Sequence, residues 1–152
     1  MEIFDRVDEQ DEVIGQTNKE EAHKRGYIHR IVAVFVFDKD GNLLVQKRKK
    51  GGLLDHSVGG HVGKGESYDN AAVRETEEEL GVNLNLQKVT GPILEKWEEY
   101  NIFHQIHLYE SHLSSEKLVP SEEEVEELVP MSLENISQMM RNHPKKFAGG
   151  FK

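Results

Sequence analysis

Short apolar segments separated by polar turns run along most of the chain, a pattern that predicts many strands and few helices. The segment Ile28–Phe37 is rich in β-branched and aromatic residues and predicts a buried strand. A polar turn over 38–42 leads to a second strand over Leu43–Lys47, so the two segments predict a hairpin. Two shorter strands are expected around an acidic turn within 2–17. Later strands are expected at Leu84–Val89, Ile93–Trp97 and Ile102–Ser111.

Capping residues mark two helices in the first half of the chain. Asn18 opens a capping-box pattern, so a short polar helix should follow it and end at Gly26. Ser67 is a favourable N-cap and Gly81 is a favourable C-terminal stop. A longer helix is therefore expected over Tyr68–Leu80, near the middle of the sequence.

The last third of the chain contains one clear helix and one ambiguous segment. Ser132 should cap a helix that runs through about Arg141 and ends before Pro144. One side of this helix is apolar and carries Leu133, Ile136, Met139 and Met140. Segment 121–129 begins with a helical capping pattern, but its second half also fits a short strand ended by Pro130. The elements together predict an α/β fold, with a mixed sheet packed between helices.

Composition narrows the classes of function. A length of 152 residues suits one domain, and a formal net charge of −9 disfavours binding to a nucleic-acid backbone. The absence of cysteine excludes disulfides, thiolate metal sites and cysteine nucleophiles. No apolar stretch is long enough to span a membrane, and the acidic start does not fit a signal peptide. We therefore expect a cytoplasmic protein with no membrane contact.

The middle helix carries an unusual group of charges. If Arg74 is placed at 0° on a helical wheel, Glu78, Glu75 and Glu79 fall at roughly 40°, 100° and 140°. Three carboxylates and a guanidinium therefore share one face, whereas Glu77 points to solvent. The adjoining face, at roughly 160° to 260°, packs into the core and carries Ala72, Val73, Thr76 and Leu80.

Crowded carboxylates repel one another, so such a cluster is useful mainly if it binds cations. Carboxylate oxygens suit hard divalent ions such as Mg²⁺ or Mn²⁺, which also bridge to substrate phosphates. The preceding segment, Lys49–Gly65, contains six glycines that let the backbone approach such a site closely. The simpler alternative is a charged helix face that is merely solvated.

The spacing of these residues resembles the Nudix box. Gly60, Glu66 and the run 74–82 supply all seven fixed residues of that pattern, and only Thr76 replaces a residue that is usually aliphatic. The chain is therefore identified as a member of the Nudix family. Further similarity points to relatives of isopentenyl-diphosphate isomerase that act as hydrolases. It is carried by Gly26, His29, Arg30, the strand Leu43–Arg48, Pro144 and Phe147.

The resemblance implies a fold and an activity. The fold would be a Nudix-type α/β/α sandwich formed by a single domain over 1–152, with an N-terminal hairpin and short helix in 1–27 and the core in 28–152. The activity would be Mg²⁺-dependent hydrolysis of a phosphoanhydride bond in a small organic diphosphate, with Mn²⁺ as another usable ion. The substrate expected is a nucleoside diphosphate derivative. A homodimer is open, because residues 2–26 could either extend the sheet or mediate a dimer.

The resemblance also assigns roles to the box. Glu78 and Glu79 would bind metal, and Glu75 would bind metal or activate water, which makes Glu75, Glu78 and Arg74 the catalytic group. Arg74 would hold Glu66 or Glu75 in place.

Residues around that group would complete the metal site and bind the substrate. Gly60 would offer its carbonyl to a metal, and Glu66 would be either a ligand or the partner of Arg74. Glu124, from the acidic run before a late strand, is the candidate for one further ligand. This assignment favours a loop followed by a strand in the ambiguous segment.

The substrate phosphates would contact His29, Arg30 and Arg48. The alternative for His29 and Arg30 is that they fix the end of a strand, and the alternative for Arg48 is a solvated strand end. Arg48 belongs to a basic run over 47–50. Trp97, Tyr100 and Phe103 could stack on a base, although aromatic residues at such positions more often belong to the core.

Two other functions compete with hydrolysis. Isopentenyl-diphosphate isomerase chemistry, as the family resemblance implies it, uses a cysteine, and this chain has none. A non-catalytic nucleotide-sensing module would be expected to have an eroded box, whereas this box is intact. Hydrolysis is therefore the preferred prediction.

Overall fold

The computed structural model describes residues 2–49, 51–114, 116–143 and 146. In these residues, nine strands form one mixed sheet and three α-helices accompany it. The strands are β1 (Phe4–Val7), β2 (Val13–Thr17), β3 (Ile28–Phe37), β4 (Leu43–Arg48), β5 (Leu54–Asp55), β6 (Val58–His61), β7 (Gln87–Trp97), β8 (Ile102–His112) and β9 (Val125–Met131). The helices are α1 (Lys19–Arg25), α2 (Tyr68–Leu80) and α3 (Leu133–Asn142).

Strand β3 is the centre of the sheet. Along one edge it pairs in parallel with β8 over its whole length. The other edge is divided among β1, β6 and β4, and all three run antiparallel to it. The N-terminal hairpin β1–β2 therefore extends the sheet, which is one of the two roles expected for residues 2–26.

The predicted hairpin of β3 and β4 is correct only at its turn. The two strands pair at Phe37 and Leu43 and then separate. Strand β6 occupies the edge of β3 from Ile31 to Val34, so β4 pairs instead with β9 and β5. Both β5 and β6 lie within the glycine-rich segment, where no strand was expected.

Two hydrophobic clusters lie on opposite faces of the sheet. Because side chains alternate along β3, Val34 faces one cluster and Phe35 the other. The first cluster packs α2 against the sheet through Ala72 and Leu80, and the second packs α3 through Ile136. The prediction of an α/β/α sandwich with a mixed sheet is confirmed.

Most predicted boundaries agree with the structure, with two corrections. The strands expected over 84–89 and 93–97 are one strand, β7, whose register shifts around Gly91. The ambiguous segment is a turn followed by β9, as preferred, but Pro130 pairs with Leu44 inside the strand and does not end it.

The last helix agrees with its predicted span, but one of its apolar residues faces solvent. Leu133 is 59% exposed, whereas Ile136 is buried. Pro144, Phe147 and Lys50 lie outside the described residues. None of the helices in the described part of the chain has the length and apolar character of a membrane span.

Candidate active site

Helix α2 positions the glutamates because its two ends and its buried face are firmly fixed. The Ser67 side chain accepts a hydrogen bond from the backbone N–H of Asn70, and Gly81 ends the helix in the left-handed conformation. Thr76, the one departure from the box pattern, is fully buried and its hydroxyl donates to the carbonyl of Ala72. Because that hydroxyl is satisfied within the helix, threonine packs here much as an aliphatic residue would.

The helix face predicted to carry charge does carry it, and the carboxyl groups on α2 differ in how far they are exposed to solvent. Glu75 and Glu79 are only 9% and 4% exposed, while Glu78 and Glu77 are exposed. Glu77 lies apart from the other three, as the helical geometry requires.

Arg74 connects the acidic residues of the cluster through hydrogen bonds. Its guanidinium donates two hydrogen bonds to Glu66, at 2.9 and 3.0 Å, and further bonds to Glu75 at 2.9 Å and Glu78 at 3.2 Å. It also donates to the carbonyl of His61 at 2.9 Å, which ties α2 to β6. Of the two roles open to Glu66, the structure shows the partner of Arg74.

Gly60 and Glu75 are in close contact. A Cβ atom added at Gly60 would overlap the Glu75 carboxyl group. The missing side chain therefore allows this carboxyl group to lie directly over the backbone of β6. This explains, in steric terms, why the first residue of the box pattern is glycine here.

Glu79 is the most deeply buried acid of the cluster. Gln46 of β4 donates to its Oε1 at 2.8 Å, whereas its Oε2 has no hydrogen-bond partner among the described residues. Burial raises the pKa of Glu79 well above its usual range, and the neighbouring charges of Glu75 and Glu124 raise it further. Burial likewise raises the pKa of Glu75, although Arg74 opposes that shift.

The acidic loop before β9 joins this site. Glu124 lies close enough to Glu79 to affect its pKa, and the backbone N–H of Ser121 donates to the carbonyl of Glu79 at 2.8 Å. The basic run lies against the same loop, because the backbone N–H of Lys49 donates to the carbonyl of Glu124. The side chain of Arg48 is 45% exposed and lies 4.0 Å from Asp55, and the backbone of Arg48 pairs with Val125, the residue after Glu124.

The two substrate-binding candidates on β3 lie in other surroundings. His29 is fully buried among aromatic rings and imidazoles. Arg30 is held by Asp11, to whose side chain and carbonyl it donates at 2.8 and 2.7 Å. The structure therefore brings neither side chain into the glutamate cluster.

Two contributions were not anticipated from the sequence. Gln46 holds Glu79, but nothing local distinguishes it from other polar residues on strands. Asp11 has a positive φ of 63° and accepts hydrogen bonds from Arg30 and Tyr68, which attaches the N-terminal hairpin to β3 and α2. Its place in an acidic turn gave no sign of that role. Tyr100 is 65% exposed, and base stacking by it stays a prediction.

The residues present fit a hard divalent cation. They comprise two largely buried carboxyl groups, an unpartnered buried oxygen on Glu79, the more exposed Glu78 and Glu124, and a backbone that Gly60 leaves open. Oxygen donors of this kind suit Mg²⁺ or Mn²⁺.

The chain is similar to several known proteins. A family model described as the NUDIX domain matches residues 27–148. An uncharacterized Nudix hydrolase of Streptomyces coelicolor is 48% identical over 54% of this chain and 48% of its own length. The chain thus spans about half the length of several curated relatives that it matches.

Two further similarities extend over most of the chain. Isopentenyl-diphosphate Delta-isomerase 2 of Photorhabdus laumondii is 32% identical over 99% of this chain and 89% of its own length. The crystal structure of DR0079 from Deinococcus radiodurans superposes with a TM-score of 0.77 and 25% identity, covering 93% of this chain and 90% of that one.

Proposed function

The chain belongs to the Nudix family, and on that premise we propose that it is a Mg²⁺-dependent hydrolase of a phosphoanhydride bond in a small organic diphosphate. The observation that carries this proposal is the buried pair Glu75 and Glu79 beside the open backbone of Gly60. Burying two carboxyl groups destabilises the fold, and a bound cation that also contacts the substrate would explain why both are present.

The cluster has too little positive charge of its own. Three carboxyl groups, those of Glu66, Glu75 and Glu78, accept hydrogen bonds from the single guanidinium of Arg74, and a fourth, that of Glu79, lies near Glu75. Glu75, Glu78, Glu79 and Glu124 would hold the metal, with the Gly60 carbonyl as a further donor. Bound Mg²⁺ would supply charge neutralisation at the phosphates and a more acidic water.

The other residues would position these groups. Arg74 and Glu66 form a bidentate pair that fixes the guanidinium, and the guanidinium in turn orients Glu75. Gln46 orients Glu79 by donating a hydrogen bond to one of its carboxyl oxygens. Glu75 is also the candidate base that would accept a proton from the attacking water. A nucleoside diphosphate derivative is the proposed substrate class, with Arg48, whose backbone pairs with the residue after Glu124, as a phosphate contact.

One rival function has an observation in its favour, because a full-length relative is named as an isopentenyl-diphosphate isomerase. The absence of cysteine argues against that reaction here, since the isomerase chemistry implied by the resemblance uses one. The two activities differ in product: hydrolysis splits the phosphoanhydride bond and leaves one phosphoryl group on each of two products, whereas isomerisation leaves the diphosphate intact.

The test is incubation with Mg²⁺ and a panel of nucleoside diphosphates, nucleoside triphosphates, sugar nucleotides and isoprenoid diphosphates, followed by phosphorus NMR. Glu78→Gln should lower turnover by at least about a hundredfold, whereas Glu77→Gln, on the solvent side of the same helix, should stay within about twofold. If Glu78→Gln turned over substrate as fast as the wild-type protein, the proposed site would be wrong. Binding of panel members by the wild-type protein without any cleavage would favour a sensing module.

A further inference from the structure

Strands β3 and β4 form a fork where they separate, and Ser57 lies inside it. The two strands pair at Phe37 and Leu43 and then diverge. Beyond that point β6 pairs with β3 and β5 pairs with β4, and Ser57 lies in the short crossing from β5 to β6. Ser57 is fully buried, so its polar groups must find partners within the sheet.

The hydroxyl of Ser57 joins the two strands of the fork. It accepts a hydrogen bond from the backbone N–H of Val36 on β3, at 2.9 Å, and donates one to the carbonyl of Leu44 on β4. Both of those residues are buried, so their backbone groups need partners as well. A serine hydroxyl can donate and accept at once, so it replaces the direct backbone bond that the diverging strands no longer make.

The backbone carbonyl of Ser57 reaches the glutamate cluster through one side chain. It accepts a hydrogen bond from Nε2 of Gln46 at 3.0 Å, and the same nitrogen donates to Oε1 of Glu79 at 2.8 Å. Both hydrogens of the Gln46 amide are therefore used. Because a carbonyl can only accept, the amide cannot turn over without placing its own oxygen against that of Ser57.

We propose that Ser57 is a positioning residue of the metal site, acting on Glu79 through Gln46. This assignment rests on the proposed function, in which Glu79 is a ligand of Mg²⁺. Groups that hydrogen-bond a ligand orient it and strengthen metal binding. The Ser57 hydroxyl sets the spacing of the fork, and its carbonyl sets the direction of the Gln46 amide, so both of its polar groups serve the same carboxylate.

The simpler alternative is that Ser57 only stabilises the sheet. Removal of its hydroxyl would then lower the stability of the protein and leave the Mg²⁺ affinity of the folded protein unchanged. Tyr109 offers a matched comparison, because it is also buried and its hydroxyl donates to Asp69 at 2.6 Å. Asp69 precedes Glu79 by ten residues on α2, or about 15 Å along the helix.

The first test is calorimetric titration of the full chain with Mg²⁺ after a chelator has removed bound metal. Ser57→Ala should weaken Mg²⁺ binding about fivefold, because Gln46 is loosened but still present, whereas Tyr109→Phe should stay within about twofold. Thermal melts establish that both variants are folded at the titration temperature. If Ser57→Ala is not folded, Ser57→Cys replaces it, because a thiol nearly fills the same volume but hydrogen-bonds only weakly.

A double-mutant cycle tests whether Ser57 acts through Gln46. Gln46→Leu alone should weaken Mg²⁺ binding about tenfold, and adding Ser57→Ala should weaken it further by less than about twofold. Independent effects would instead multiply to about fiftyfold. In a turnover assay, kcat of Ser57→Ala at saturating Mg²⁺ should return to within about threefold of the wild-type value, because the loss lies in metal binding.

The calorimetric results separate this inference from the proposed function. Unchanged Mg²⁺ affinity in folded Ser57→Ala, equal weakening in Tyr109→Phe, or independent effects of Ser57→Ala and Gln46→Leu would each overturn the inference and leave the proposed function intact. A wild-type protein that bound no Mg²⁺ would overturn the proposed function and the inference with it.

Discussion

The contact between Gly60 and Glu75 can be tested by substituting two adjacent glycines with alanine. The added methyl group should disturb Glu75 at position 60 but not at position 59. In Gly60→Ala the new Cβ atom would lie about 2.5 Å from both carboxyl oxygens of Glu75. In Gly59→Ala, one residue earlier on β6, its nearest neighbour is the backbone oxygen of Val32 at 3.8 Å, an ordinary contact. Neither glycine has a positive φ, so alanine is compatible with both backbones.

The size of the effect follows from the displacement. Ordinary contact requires about 3.4 Å or more, so the Glu75 carboxyl group must move by roughly 1 Å in Gly60→Ala. A misplacement of that size in a catalytic group costs on the order of a hundredfold in rate. The effect on stability should be small, because the lost contact to Arg74 is partly offset by the lower chain entropy of alanine in the unfolded state.

The assay is steady-state turnover of the substrate that the panel identifies, at several Mg²⁺ concentrations, with thermal melts of both variants. We expect kcat of Gly60→Ala to fall by about a hundredfold with a change in unfolding free energy of about 1 kcal/mol or less. Gly59→Ala should behave like the wild type. The reasoning fails if Gly60→Ala keeps full activity, or if Gly59→Ala is equally impaired.

Three further substitutions probe the residues that position the site. Arg74→Lys keeps the charge but loses the bidentate bond to Glu66, so kcat should fall by about 10–100-fold in the same turnover assay. Gln46→Leu removes the donor to Glu79 and should weaken Mg²⁺ affinity about tenfold, as measured by calorimetry; unchanged affinity would contradict the role given to it. Asp11→Ala removes the carboxyl group that accepts from Arg30 of β3 and Tyr68 of α2. The side chains of Asp11 and Arg30 are only 11% and 17% exposed, so the free energy of unfolding in urea should fall by about 3 kcal/mol.

The elements predicted best are those that local chemistry determines. The bounds of β3 and α2 agree with the sequence analysis, because β-branched residues and capping side chains act within a few positions of themselves. The pairing of β3 with β4 is correct at the turn but was predicted wrongly beyond it, for the opposite reason. Which strand occupies the edge of β3 depends on β6, whose four residues, Val58–His61, carry little strand signal of their own.

Within the candidate site, too, features set by local sequence were predicted and features set by the tertiary fold were not. The shared face of Arg74 and Glu75 follows from the helical repeat alone, so the sequence sufficed to predict it. The choice of Glu66 as partner of Arg74, and of Gln46 as partner of Glu79, depends on how separate elements are placed. Residues joined only by the tertiary fold have no local signature.

Strand β6 separates the glutamate cluster from a group of stacked rings. Successive side chains of a strand point to opposite faces, so Gly60 faces Glu75 while the ring of His61 stacks with His29. The two faces are nevertheless connected, because the carbonyl of His61 accepts a hydrogen bond from Arg74. The packing of the His61 ring thus helps to hold both the strand that carries Gly60 and the guanidinium that orients Glu75.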